Sequence, residues 1–425
     1  MTPEHRARRT DEQAPPEGFA DGGGTVVPEE SLGERLLGSL LDRAHLVPPR
    51  LVGPLVAQEL VRVGASDISI HLQDLDQMTL QPLSGRGLVG EPESIAGSSV
   101  GQAFATDSPV ERDVIGGIRL HLPMLDGSDR VGVLSFTLPA VGEHDRRLAQ
   151  RVAGLVADLV VTKNEYTDTF ERVRATQELT LAAQLQRQSL PPLAMTTPDV
   201  SLAGMLEPAY SVGGDSFDYA LNEHVLHLLV LDAMGHGLEA ATMATVALAA
   251  YRHGRRQDLS LVDLYAAMDD AVATTFPGRF ATAHLGELDT MTGRLSWVNA
   301  GHPPALWVRE GAVIGELTGP VSRPLGLGSG QPPVQAQQLE QGDRLLFFTD
   351  GVVEERLGGG EQFGEKRLRE LLEETTTAGL QPAESVRRLS HALMDARRGL
   401  TSDDASLLLV EWQSPPKDDE LAPSP

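Results

Sequence analysis

The chain has 425 residues and no cysteine, with 60 acidic residues against 35 basic ones for a formal charge of -25. Disulfides, thiolate metal sites and cysteine nucleophiles are therefore excluded, and so acid a surface makes nucleic acid and anionic membrane poor partners. The length suits two or three folded units, no run reaches the roughly 18 apolar residues that span a bilayer, and the first residues carry no apolar signal core. A soluble, cytoplasmic protein is expected.

Residues 1–30 are rich in Pro, Gly and charged groups, as is the tail at 414–425, and both are expected as disordered ends. Residues 31–145 read as an α+β unit. Leu36, Leu37, Leu40 and Leu41 recur at helical spacing, and SDISIHLQDL alternates Ile68, Ile70 and Leu72 with polar neighbours. SVGQAFATDSPV then predicts a short helix, and RLHLPMLDGSDRVGVLSFTLP two strands joined by a DGSD turn. Residues 146–190 read as a linker helix. From Glu143 to Ser189 there is no proline and one glycine, with Leu148, Val152, Leu155, Leu159, Tyr166, Phe170 and Val173 at three- and four-residue steps. LPPL at 190–193 ends it, because proline cannot continue the hydrogen bonding. The stripe is narrow enough for a coiled-coil seam and hence a homodimer; the other packing open to it sets its first half on the preceding unit and its second half on the next.

Residues 191–413 form the last unit. Strands are expected at EHVLHLLVLDA, at FATAHLGELDTMTGRLSWVNAGHPPALWVR with its turn, at DRLLFFTD and at ASLLLVEW. Helices are expected at LEAATMATVALAAYR, LVDLYAAMDDAVATTF, EKRLRELLEETT and PAESVRRLSHALMDARR. Strands grouped in hairpins with separate helices predict antiparallel sheet flanked by helices.

Several of these strands end in carboxylates. GDRLLFFTDG delivers Asp350 straight from an apolar run, HLLVLDAMGHG delivers Asp232, VGGDSFD offers Asp215 and Asp218, and LTSDDASLLLV offers Asp403 and Asp404 just ahead of another run. A carboxylate at the mouth of a buried strand loses hydration and needs backbone donors, a cation or a metal to offset that cost. One such acid is ordinarily a turn or cap residue. Four strand ends that offer only carboxylate oxygen form a ligand set for hard cations such as Mg²⁺ or Mn²⁺ rather than for zinc. Glycines beside them (Gly213, Gly214, Gly235, Gly237, Gly351) let backbone approach closely or turn with positive φ.

The blocks LQRQSLPP, VGGDSFD, DAMGHGLEAA, VNAGHPPALWVR, RPLGL, GDRLLFFTDGVVEE, FGEKRL and SDDASLLLV, in this order, resemble the metal-dependent serine/threonine phosphatases of the PPM superfamily, in particular its SpoIIE and RsbU-like branch. The resemblance implies a central β-sandwich flanked by helices with two Mn²⁺ or Mg²⁺ ions at one end. Asp232 would bridge the ions, the Ala233 carbonyl would bind one of them, Asp350 with Asp403 or the adjacent Asp404 would complete the other, and Asp215 would stand just outside, holding water. It also implies hydrolysis of phosphoserine or phosphothreonine on a phosphoprotein, with a STAS-type anti-anti-sigma factor as the expected substrate. The competing readings are a partner-binding scaffold that keeps the fold without catalysis, and another dinuclear phosphoesterase. The pattern departs from the family at Leu231, Ala233 and the DDAS block, none of which removes an acid. His302 reads as a structural turn residue, His236 as a turn residue beside the acids, and Asp218 as a residue that holds the fold. The 31–145 unit resembles a GAF sensory domain, most closely over LPMLDGSDRVGVLSFTLPA.

Overall fold

The computed structural model describes residues 32–207, 210, 213–328, 330–353, 364–397 and 404–413. Both expected disordered ends lie outside them. The first unit comprises α1 (Leu32–Ala44), α2 (Val52–Arg62), β1 (Ser66–Gln73), β2 (Thr79–Pro82), β3 (Glu93–Ser94), α3 (Ser99–Thr106), β4 (Val110–Val114), β5 (Gly117–Asp126), β6 (Asp129–Leu138) and α4 (Glu143–Asn164). Its antiparallel sheet runs β3-β2-β1-β6-β5-β4. Strand periodicity sends Ile68, Ile70, Leu134 and Phe136 to a core shared with α1, α2 and α4, and sends Val133 to the opposite face, where Phe104 of α3 covers it.

The linker differs from the sequence expectation. In place of one helix over 146–190 there are three: α4, α5 (Thr169–Arg174) and α6 (Leu181–Ser189). The Thr-rich stretches supply the breaks, since hydroxyls near the backbone offer it local alternatives to helix. Thr167 Oγ accepts from the amide of Thr169 at 3.2 Å, and Thr180 caps α6 by accepting from Ala183 at 3.2 Å. α4 also belongs to the first unit. Val152, Val156, Leu159, Val160 and, from the second half of the stripe, Phe170 are buried in its core, so of the two packings open to the stripe it takes the one inside this chain, with both halves on the preceding unit.

The second unit holds β7 (Ala194–Thr196), β8 (Val200–Glu207), β9 (Asp215–Asn222), β10 (Val225–Ala233), α7 (Leu238–Arg255), α8 (Leu261–Thr275), β11 (Ala281–Asp289), β12 (Arg294–Ala300), β13 (Leu306–Arg309), β14 (Ala312–Glu316), β15 (Gln335–Gln338), β16 (Arg344–Phe348), α9 (Gly364–Thr377), α10 (Pro382–Arg397) and β17 (Ala405–Trp412). One sheet runs β15-β12-β11-β10-β9 and the other β14-β13-β16-β17-β8-β7. Each central strand is buried on both faces, which is why its sequence is a continuous apolar run. Leu228 and Val230 of β10 face Leu345, Phe347, Leu408 and Val410 of the opposing sheet, while Leu229 and Leu231 pack under α7 and α8. Leu346, Phe348, Leu407 and Leu409 pack in turn under α9 and α10. The result is a four-layer α-β-β-α sandwich. Among the described residues no helix is long and apolar enough to cross a membrane.

Candidate metal centre

The acids gather where the two sheets meet at one end of the sandwich. β9 and β10 pair antiparallel so that Asp215 stands opposite Asp232, and Asp232 stands opposite Thr282 of β11 on its other side. Beyond Asp232 the chain turns through Gly235 and Gly237, with φ of 96° and 77°, conformations that glycine adopts without the cost borne by other residues. The amide of Ala233 donates to the Gly214 carbonyl at 3.0 Å, and a Cβ on Gly214 would lie 2.9 Å from the Ala233 carbonyl oxygen, so this carbonyl stays at the same end as the acids.

The second sheet delivers the rest. β16 ends at Phe348, Thr349 follows with no exposure, and Asp350 opens a single 3₁₀ turn. A Cβ on Gly351 would lie 1.7 Å from the Asp404 carbonyl oxygen, an approach that only glycine permits. The Thr349 hydroxyl donates to Asp215 Oδ2 at 2.5 Å and accepts from the Ser406 amide at 2.8 Å. Asp404 Oδ2 accepts from the Asp215 amide at 3.3 Å. Gln186 of α6 closes the arrangement: its Nε2 donates to the Asp215 carbonyl at 2.6 Å and to Asp404 Oδ2 at 3.4 Å.

Asp215 and Asp404 are buried, Asp232 and Asp350 partly so. Burial first, and then the charges of Asp232 and Asp404, push the Asp215 carboxyl well above the usual carboxylate range, against the opposing pull of Thr349. Carboxylates offer oxygen donors only, the chemistry that suits a hard divalent cation. Among the described residues no three His, Asp or Glu side chains stand close enough together to hold one ion. Asp403 lies outside those residues; of the adjacent pair, Asp404 is the acid seen to reach Asp215.

The remaining expectations separate cleanly. Asp218 is buried and paired with Arg252 and Arg255, each at 2.8 Å, which ties β9 to the end of α7 and makes it a fold residue. His302 is a buried turn residue: its amide donates to Asn299 Oδ1 and its carbonyl accepts from Asn299 Nδ2, both at 2.8 Å. Desolvation pushes the His302 imidazole down to about 4, so it is neutral at physiological pH. His236 is exposed between the two turn glycines. Sequence reasoning passed over Thr349 and Gln186. Thr349 had a signal, a hydroxyl between an apolar run and an acid; Gln186 had only its place in the LQRQSLPP block.

Residues 222–413 match the family model described as Stage II sporulation protein E (SpoIIE). Among curated proteins, the chain is 29% identical over 195 residues to phosphoserine phosphatase RsbP of Bacillus subtilis, covering 43% of this chain and 47% of the relative. It is 26% identical over 230 residues to protein IcfG of Synechocystis, covering 46% and 35% respectively. The chain thus spans less than half the length of each. Among solved structures, the RsbU and RsbW domains of a Mycobacterium tuberculosis protein align at 27% identity and a TM-score of 0.45, covering 54% of this chain and 64% of that one.

Proposed function

We propose, on the premise that residues 222–413 form a SpoIIE-family domain, that this protein is a divalent-metal-dependent phosphatase acting on phosphoserine or phosphothreonine of a protein substrate. The observation that carries the reading is the convergence of Asp232, Asp215 and Asp404 from both sheets, with Asp350 a residue away from Thr349 and Gly351. Asp232, the Ala233 carbonyl, Asp350 and Asp404 or Asp403 would hold Mn²⁺ or Mg²⁺, with Asp215 behind them orienting water. The chemistry such ions would supply when bound is a more acidic water and neutralised phosphoryl oxygen, with no need of a covalent enzyme intermediate. That route suits a chain with no cysteine. Thr349 and Gln186 contribute by fixing Asp215 and Asp404, and the packed sandwich beneath keeps the acids from relaxing apart.

The resemblance to the sigma-regulatory branch supports a phosphorylated STAS-type anti-anti-sigma factor as substrate, and the order of helices and strands in the first unit supports reading it as a GAF-like sensor.

The test is hydrolysis of a phosphoserine peptide and of para-nitrophenyl phosphate with and without Mn²⁺. Mn²⁺-dependent turnover that falls at least ~100-fold in Asp232→Asn, with an unchanged unfolding transition, is the expected result. Equal activity of the two proteins, or none from the wild type in Mn²⁺, overturns the reading.

A further inference from the structure

Gln186 bridges the ends of the two sheets of the second unit. It is 3% exposed, and both of its amide contacts go to the acid site, one to the first residue of β9 and one to Asp404, just ahead of β17. Being neutral, it fixes the Asp404 carboxylate without cancelling its charge, which an Arg or Lys at this place would do. Its helix, α6, has nine residues, too few to persist unaided, so whatever grips α6 sets the position of Gln186.

Part of that grip comes from the first unit. The β1–β2 turn packs Leu75 against Tyr210. Tyr210 receives the Thr180 amide on its carbonyl at 3.0 Å, directly at the start of α6, and its hydroxyl accepts from the Thr176 amide at 3.1 Å. Asp76 of the same turn lies in the field of Arg187, the neighbour of Gln186, and the Asp76 carbonyl bonds His391 of α10 at 3.2 Å. The far end of α6 is held inside the second unit, where Arg252 donates to the Ser189 carbonyl at 2.7 Å.

We propose that Gln186 is a positioning residue that holds Asp215 and Asp404 ready for a divalent cation, and that the β1–β2 turn of the first unit, through Leu75 and Tyr210, holds Gln186 there. This deepens the metal-centre reading above and rests on it. A change in the first unit that withdraws the turn thereby loosens the acid site without touching an acid.

The experiment uses the full chain with Gln186→Met, which keeps the volume and removes both donors, and with Leu75→Ser. Mn²⁺ binding is measured by calorimetry, and amide exchange over residues 213–216 is measured without metal. Gln186→Met is expected to weaken Mn²⁺ binding ~10- to 100-fold while retaining most of kcat at saturating Mn²⁺, and to speed exchange of the Asp215 amide. Leu75→Ser is expected to move affinity and exchange in the same directions by a smaller factor, about threefold. Wild-type affinity and exchange in Gln186→Met overturn the role of Gln186; an unchanged Leu75→Ser overturns the role of the first unit. A wild type that binds Mn²⁺ without hydrolysing phosphoserine defeats the phosphatase reading while the shifts in affinity and exchange still uphold this one.

Discussion

Thr349 shows how a single hydroxyl joins two sheets. It is fully buried, gives its proton to Asp215 and accepts from the Ser406 amide, so replacing it by Val preserves shape while removing one donor from Asp215 and the acceptor of the Ser406 amide. Thr349→Val is expected to cost about 1–3 kcal/mol, measured as a shift of the urea unfolding midpoint. A loss near zero means that water or a neighbour takes over both bonds. His121 on β5 offers a residue-scale test of pH. Burial first, then the charges of Arg119, Arg112 and His71, push its imidazole down to about 4, and its Nδ1 is paired with the Ser135 hydroxyl at 2.9 Å. A histidine whose folded pKa lies below its unfolded value contributes stability that is whole above about 6.5 and is lost as pH falls toward 4. The wild type is therefore expected to lose roughly 2–3 kcal/mol relative to His121→Asn across that window, by thermal unfolding at a series of pH values.

At the scale of elements, the acids were legible because strand and site share one signal. A run apolar on both faces, such as Leu345 to Phe348, marks a central strand, and an acid at its end has no packing reason to be there. Asp232, Asp350 and Asp215 were found on that logic. β8 was overlooked although all eight of its residues are buried, because Ser201 and Gly204 interrupt its apolar run; a Cβ at Gly204 would lie 2.3 Å from the Phe217 ring. The division of the linker into three helices was illegible for another reason: the apolar spacing continues across the breaks, and the breaks arise from threonine hydroxyls and from contacts with Tyr210 that no local pattern announces. Gln186 was hidden likewise, since a glutamine in a helix most often faces solvent, and only the tertiary fold turns this one inward.

For the whole molecule, the decisive feature is a buried ionic seam between the units. Arg130 of β6 is 3% exposed, bonds Asp107 through Nε and Nη2 at 2.8 Å each, and reaches Glu384 of α10 at 3.3 Å. Glu384 is also held by Arg387 and Arg388, whose guanidinium groups keep its carboxyl below the usual range despite burial. Removing one partner of such a cluster leaves the others desolvated and uncompensated. Arg130→Ala is expected to cost about 3–5 kcal/mol and to split one calorimetric unfolding transition into two, one per unit. A single, unshifted transition means that the units are joined mainly by other contacts.

The five-stranded sheet ends on β15, a strand of four residues, QAQQ, in which half-buried positions alternate with exposed ones, and Pro332 and Pro333 stand just ahead of it. An unpaired rim is where one copy of a protein can recruit another into a growing fibril, and short, polar, proline-guarded rims offer little purchase for that recruitment. Concentrated solutions of this chain should consequently stay clear on that side of the sandwich, and lengthening the strand with alternating valines is the change that would invite amyloid.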